Sequence, residues 1–275
     1  MEHIPLRSDM DAADDTDAFT ESMSFKIAAD ESITEINCDL RLIQKRDGLT
    51  FGSDAYLLAA YVRSSRKARA VDLGSGTGVI PLLLLSKNKI AMCNAVEVQP
   101  DFAELLSRNA EINGFSERLR AVNADVRDIS AKTFGFEADI VISNPPYMKT
   151  TGKLCVSGRK QIARHEVFGG ISDFCQAAAR VLRHGGLFYT VWRPDRLPEL
   201  VFALKESGLE PKRMTMVHSR LELPPCLVLC ESKKASAPGC YVTPPLIMYT
   251  EGSVYTDALN KIYEMGDFDE HFRKP

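Results

Sequence analysis

Residues Ala70 to Leu73 form a short apolar run that stops at Gly74-Ser75-Gly76-Thr77-Gly78, after which a helical run begins at Val79 and extends to about Ser86. A short apolar run bounded by turn glycines suits a buried strand, and a strand that turns directly into a helix belongs to an α/β layer. The chain keeps this alternation. Ala91–Val98 reads as the next strand, Pro100 opens a helix to about Asn113, and Leu119–Asn123 and Asp139–Ser143 supply two more strands. A helix over Ser172–Leu182, a strand over Leu187–Trp192 and a helix over Asp195–Ser207 follow. Arg213–His218 and Leu227–Glu231 lie close enough to pair antiparallel. The pattern predicts a doubly wound parallel sheet of seven strands with helices on both faces, occupying residues 70–242.

Ahead of that sheet, residues 29–69 read as a hairpin and a helix packed on the sheet's ligand-binding end. Ile33 to Ile43 alternates imperfectly, as a short hairpin would, and Gly48-Leu49-Thr50-Phe51-Gly52-Ser53-Asp54 is a turn into a helix over Ala55–Ser64. Ser53 or Asp54 is the expected N-cap, and the free N–H groups there could hold an anion. Residues 1–28 are expected to be a disordered acidic leader, and 243–275 a C-terminal tail. Seven acids against Arg7 alone give residues 1–22 a charge of about −6, so the remainder carries about +3 against the whole-chain value of −3. That mild surplus permits nucleic-acid binding without requiring it.

No apolar run approaches the roughly 18 residues of a membrane span, and the acidic start is unlike a signal or transit peptide. A cytoplasmic protein is expected, and no stable protein partner is inferred. The 7 cysteines include no CxxC pair. Cys226 and Cys230 have a metal-like spacing but no matching pair, so reduced thiols and no metal are expected.

The glycine spacing separates two ligand classes. Dinucleotide-binding turns read G-x-G-x-x-G, whereas here the third glycine comes one position early, at Gly78. This favours an S-adenosylmethionine-type turn, in which backbone approaches a methionine moiety that has no pyrophosphate. Asp72 precedes the turn and is placed to orient that moiety's amino group. Glu97, about twenty residues past the glycines with Val98 beside it, can accept from both hydroxyls of a ribose. Asp125 can accept from an adenine amine, with Ala124 or Val126 flanking the ring. Past the fourth strand stands Asn144-Pro145-Pro146-Tyr147, a rigid polar clamp beside a flat face, suited to a planar group bearing an amine.

VDLGSGTGVIPLLL, AVEVQP, ADVRDI and ISNPPY together resemble the motif series of class I S-adenosylmethionine-dependent methyltransferases that modify exocyclic nitrogens. GLTFGSDAYLLAAY, IARHEVF and PPLIMYTEGSVYTDALNKIY narrow the resemblance to the bacterial valine-tRNA adenine-N6 methyltransferase family. It implies a Rossmann-like fold, S-adenosylmethionine as cofactor and a tRNA adenine as substrate. Cofactor contact is then expected at Phe51, Gly52, Asp72, Gly74, Gly76, Gly78, Glu97, Val98, Asp125, Val126 and Asn144. The Asn144 side-chain oxygen and the Pro145 carbonyl would accept from the amine, with Pro146 stiffening the clamp and Tyr147 stacking on the ring. Lys149, Lys153, Arg159, Lys160, Arg164 and His165 form a basic stretch placed to hold RNA phosphates.

The clamp alone specifies a planar amine, so other readings stay open: a glutamine N5 protein methyltransferase, an rRNA or DNA amino-methyltransferase, and a non-catalytic RNA-binding module. The first usually carries a helical domain ahead of the glycine turn, where this chain has only about forty foldable residues. Intact glycines, Glu97 and the clamp argue against the last.

Overall fold

The computed structural model describes residues 27–36, 40–46, 52–146 and 169–273. Of the expected site residues, Phe51, Tyr147, Lys149, Lys153, Arg159, Lys160, Arg164 and His165 lie outside these segments, as does the acidic leader through residue 26.

Strands β1 (Glu31–Ile36) and β2 (Leu40–Lys45) pair antiparallel as the expected hairpin. Helix α1 (Ser53–Tyr61) follows, then β3 (Arg69–Leu73), α2 (Val79–Ser86), β4 (Met92–Glu97), α3 (Pro100–Ile112) and β5 (Leu119–Asn123). A single helical turn, α4 (Ala131–Phe134), precedes β6 (Ala138–Ser143). Next come α5 (Ile171–Val181), β7 (Leu182–Trp192), α6 (Leu197–Glu206), β8 (Leu209–His218) and β9 (Pro225–Lys234). The tail adds β10 (Tyr241–Val242), β11 (Leu246–Ile247) and α7 (Asp257–Met265). The main sheet runs β10-β8-β9-β7-β6-β3-β4-β5, with β11 also on β8. Strands β3 to β7 are mutually parallel, and β9 is antiparallel to both β7 and β8.

Alternation along each strand distributes side chains to two faces. Ala70, Ile140 and Ile142 pack with α1, α2, α7 and the hairpin, whereas Val71, Leu73 and Val141 pack with α5 and α6. Both faces of the sheet are therefore covered, as a parallel sheet requires.

Several boundaries differ from expectation. The seven long strands are joined by two two-residue strands, β10 and β11, too short to carry a period. β7 begins directly at the end of α5, five residues ahead of Leu187, with a register irregularity between the Ala138 and Ile140 pairings. Gly186 permits it, since a Cβ there would sit 3.0 Å from the Arg183 carbonyl. The N-cap of α1 is Gly52 and makes no side-chain capping bond. Asp54 instead accepts from the N–H of Ala55 at 2.8 Å. Pro194 starts a 3-10 turn through Arg196 before α6 proper.

The segment after residue 243 contributes Leu246, Met248, Leu259, Ile262, Phe268 and Phe272 to the same core as α1. A buried charge cluster secures it. Arg213, 1% exposed, pairs with Glu231 at 2.9 Å and lies 3.8 Å from the Tyr61 ring centroid. It also donates to the carbonyls of Tyr61 and Phe272. Lys89 donates to the Ala59, Ala60 and Gly266 carbonyls, joining the end of α1 to the end of α7.

Candidate functional site

The site gathers at the carboxyl ends of β3, β4 and β6, where open α/β sheets place ligands. The glycine turn hangs on β4. Gly74 and Ser75 donate their N–H groups to the Val96 carbonyl at 2.9 and 3.0 Å. Gly76 donates to Glu97 Oε2 at 2.9 Å, and Gln99 donates its N–H to Oε1 at 2.9 Å. The Glu97 carboxylate is thus fixed between the glycine turn and the start of α3. Asn123 at the end of β5 steadies the same corner, donating from its amide to the Glu97 and Val98 carbonyls.

The turn leaves space for a ligand at one glycine and needs close contact at another. Gly78 has φ +89°, and a Cβ there would meet Leu106 Cγ at 3.0 Å. Gly76 has φ +57° with nothing within 4 Å of a Cβ position, so the backbone is open on that side.

Asp72 lies beneath the turn, 1% exposed, and neither carboxylate oxygen has a hydrogen-bond partner. Burial pushes its pKa up to about 7, opposed in part by the neighbouring Ser75 hydroxyl and reinforced by the Glu97 charge. A buried carboxylate left without partners is costly, and a ligand cation or N–H donor would relieve it. Together with the open Gly76 backbone and the Glu97 carboxylate, this donor and acceptor set fits the amino-acid and ribose parts of S-adenosylmethionine.

Asp125 stands just past β5, but its carboxylate is engaged by Arg127. The Arg127 N–H and Nε donate to Oδ1 at 2.8 and 2.9 Å, and this pairing holds the Asp125 carboxyl below its ordinary range. Val126 is buried against the α5–α6 side of the sheet, and Val98 is half-buried. The expected adenine contacts therefore begin from a carboxylate that already has a cationic partner.

Asn144 follows Ser143, which is aligned with Leu73 across the β3–β6 pair. Ser143 is fully buried, and its hydroxyl donates to the Leu73 carbonyl at 2.9 Å. The first clamp residue is consequently adjacent to the first residue of the glycine turn. Asn144 is half-buried, Pro145 buried and Pro146 half-buried. Among the described residues no group of His, Cys, Asp and Glu side chains could hold a metal ion. Nor is any described helix long and apolar enough to cross a membrane.

Two residues that shape the site, Ser143 and Asn109, and one that docks the hairpin beside it, Asn113, have no role assigned from the sequence. The two asparagines recur four apart on the helix opened by Pro100, on the face that meets the hairpin, and that spacing is the signal that could have found them.

The methyltransferase small domain family model matches residues 46–200, more than half of the chain. A tRNA1(Val) (adenine(37)-N6)-methyltransferase of Phocaeicola vulgatus is 27% identical over 188 residues, covering 68% of this chain and 78% of that protein. The protein of the same name from Pedobacter heparinus is 27% identical over 210 residues, covering 76% and 87%. Among solved structures, a predicted O-methyltransferase from Agrobacterium tumefaciens superposes with a TM-score of 0.65 at 24% identity, covering 78% of this chain and 98% of that one, a likeness of fold. With its glycine turn, Glu97 and Ser143-Asn144 brought to neighbouring strand ends inside the matched region, the chain belongs to the methyltransferase small domain family.

Proposed function

We propose that this chain is an S-adenosylmethionine-dependent N-methyltransferase acting on the exocyclic N6 of an adenine in tRNA. The observation that carries this reading is the adjacency of Asn144 to the glycine turn through the Ser143–Leu73 hydrogen bond. It brings Asn144, the first residue of the expected clamp, beside the glycine turn, which supports reading the two as one site. The tRNA1(Val) (adenine(37)-N6)-methyltransferase names of relatives from several bacteria support the choice of polymer and base.

S-adenosylmethionine supplies a methyl group on a sulfonium that leaves as a neutral thioether. The protein's work is then alignment and preorganised acceptors. An adenine amine has its nitrogen lone pair delocalised into the ring. Acceptance of its two N–H bonds by the Asn144 side-chain oxygen and the Pro145 carbonyl draws that pair out of conjugation, while Tyr147 stacks on the ring face. No strong general base is needed, because the methylated nitrogen is acidic and its proton leaves to solvent. Glu97 serves the ribose hydroxyls, Asp72 the amino group, and Phe51, Gly52, Val98, Asp125 and Val126 complete the cofactor site.

The target base must leave its stack to reach the clamp. Lys149, Lys153, Arg159, Lys160, Arg164 and His165 hold the surrounding phosphates in this reading, and the enzyme works in the cytoplasm where tRNA is found. Replacing Asn144 with Ala tests it. Methyl transfer to tRNA should fall at least a hundredfold with S-adenosylmethionine affinity unchanged within a few-fold, and equal loss of both would remove Asn144 from the clamp.

A further inference from the structure

Asn109 connects two parts of the molecule that the chemistry described above treats separately. Its side chain is fully buried in α3. Oδ1 accepts the Ile43 N–H at 2.7 Å, and Nδ2 donates to the Ile43 carbonyl at 3.1 Å and to the Thr77 carbonyl at 2.9 Å. One turn later, Asn113 repeats the first half of this pattern on Arg41, accepting its N–H at 2.9 Å and donating to its carbonyl at 2.6 Å. The second Asn113 donor bond goes to the Asn109 carbonyl instead of the glycine turn.

The spacing explains why this works. Four residues of helix rise about 6 Å, and two residues of strand advance about 6.6 Å. Amides four apart, Asn109 within α3 and Asn113 at its C-cap, therefore meet alternate residues of β2, and each reproduces both hydrogen bonds that a neighbouring strand would make. The edge of the hairpin is closed by a helix, with the two elements running antiparallel. The rungs differ at one point only: Asn109 alone reaches the Gly74–Gly78 turn.

We infer that Asn109 is a positioning residue for methyl transfer, coupling the N-terminal hairpin to the cofactor turn through the Thr77 carbonyl. The inference rests on that turn being the S-adenosylmethionine site. Cofactor held by the turn tightens the hairpin, and the hairpin holds the turn in its binding conformation. The coupling is reciprocal, as linkage requires. Asn113 contributes to hairpin docking without this second role.

Isosteric variants separate the two, with the affinity of each read only after melts show it folded, because Asn109 is fully buried and Asn113 half-buried. Asn109→Asp and Asn113→Asp each keep an acceptor for the strand N–H and lose both donor bonds. Calorimetry on the full chain should show Asn109→Asp raising the S-adenosylmethionine Kd about tenfold, with Asn113→Asp within about twofold of wild type. Equal Kd changes in the two variants, or no change in Asn109→Asp, would overturn the inference. Should either variant fail to fold, wild-type hydrogen exchange decides: saturating S-adenosylmethionine should slow amide exchange in a peptide covering residues 40–46, and unchanged exchange with cofactor bound would overturn the coupling. Absence of any cofactor binding by wild type is a different result, and it would defeat the reading of the turn itself.

Discussion

The Ser143 hydroxyl bonds to the Leu73 carbonyl at 2.9 Å, one residue before Asn144 on one strand and one residue before Gly74 on the next. Added to the backbone pairing of Leu73 with Ser143, this contact holds the ends of β3 and β6 together. Ser143→Ala removes one buried hydrogen bond to that carbonyl, which should destabilise the fold by about 0.5–1.5 kcal/mol. A small misplacement of reacting groups is costly to rate, so turnover should drop about tenfold while S-adenosylmethionine Kd moves less than threefold. Thermal melts, calorimetry and single-turnover kinetics on one preparation check this. A loss of affinity matching the loss of rate would contradict it.

Glu97 accepts from the Gly76 and Gln99 N–H groups, one on each oxygen. Glu97→Gln places an amide donor against one of those N–H groups and removes the charge that favours ribose hydroxyls. S-adenosylmethionine Kd should rise at least tenfold in calorimetry, and unchanged affinity would remove Glu97 from the ribose role.

Asp72 makes stability depend on pH in a stated direction. Its folded pKa of about 7 lies above the ordinary carboxyl value, so the folded state holds a proton that the unfolded chain has released across about pH 4 to 7. Stability contributed at low pH is lost as pH rises through 7. Asp72→Asn abolishes that titration. The variant should therefore gain on wild type between pH 5 and pH 8, by up to a few kcal/mol, in urea denaturation without cofactor. Parallel stability curves for the two proteins would contradict the burial of an unpaired carboxylate.

The Arg213–Glu231 pair ties α1 and the C-terminal segment to β8 and β9. Glu231→Ala leaves the Arg213 guanidinium buried and should cost about 3–5 kcal/mol. Arg213→Met/Glu231→Leu together should cost less than the sum of the single changes, because neither charge is then left alone. Denaturant midpoints across the double-mutant cycle measure it, and additive losses would show that the pair acts as two independent groups.

Much of the core architecture was legible from periodicity because parallel strands buried on both faces carry a dense apolar signal. Asp139–Ser143 falls within β6, buried along nearly its whole length, and Val79–Ser86 has the same bounds in sequence and structure. The tail is a mixed case. β10 and β11 have two residues each and carry no period, whereas α7 carries a helical stripe of Leu259, Ile262 and Tyr263 between an N-cap at Thr256 and a left-handed Gly266, a signal that went unread. In the site, the glycines, Glu97 and the Asn144 clamp announce themselves through residue types that few other positions tolerate. Ser143, Asn109 and Asn113 do not, because their roles depend on which backbone carbonyl a fold brings within 3 Å, and serine and asparagine are common everywhere. Asp125 shows the converse: its position was read from sequence, but its Arg127 partner two residues on became evident only from the local turn.

Transfer of a methyl group to an adenine amine of tRNA can be measured directly. Purified protein should be incubated with S-adenosylmethionine labelled in the methyl group and with separated tRNA, rRNA, DNA and protein fractions, followed by nucleoside and amino-acid mass spectrometry. Label is expected in tRNA alone, recovered as N6-methyladenosine. Label recovered as N5-methylglutamine in protein, or as a methylated base confined to rRNA or DNA, would contradict it.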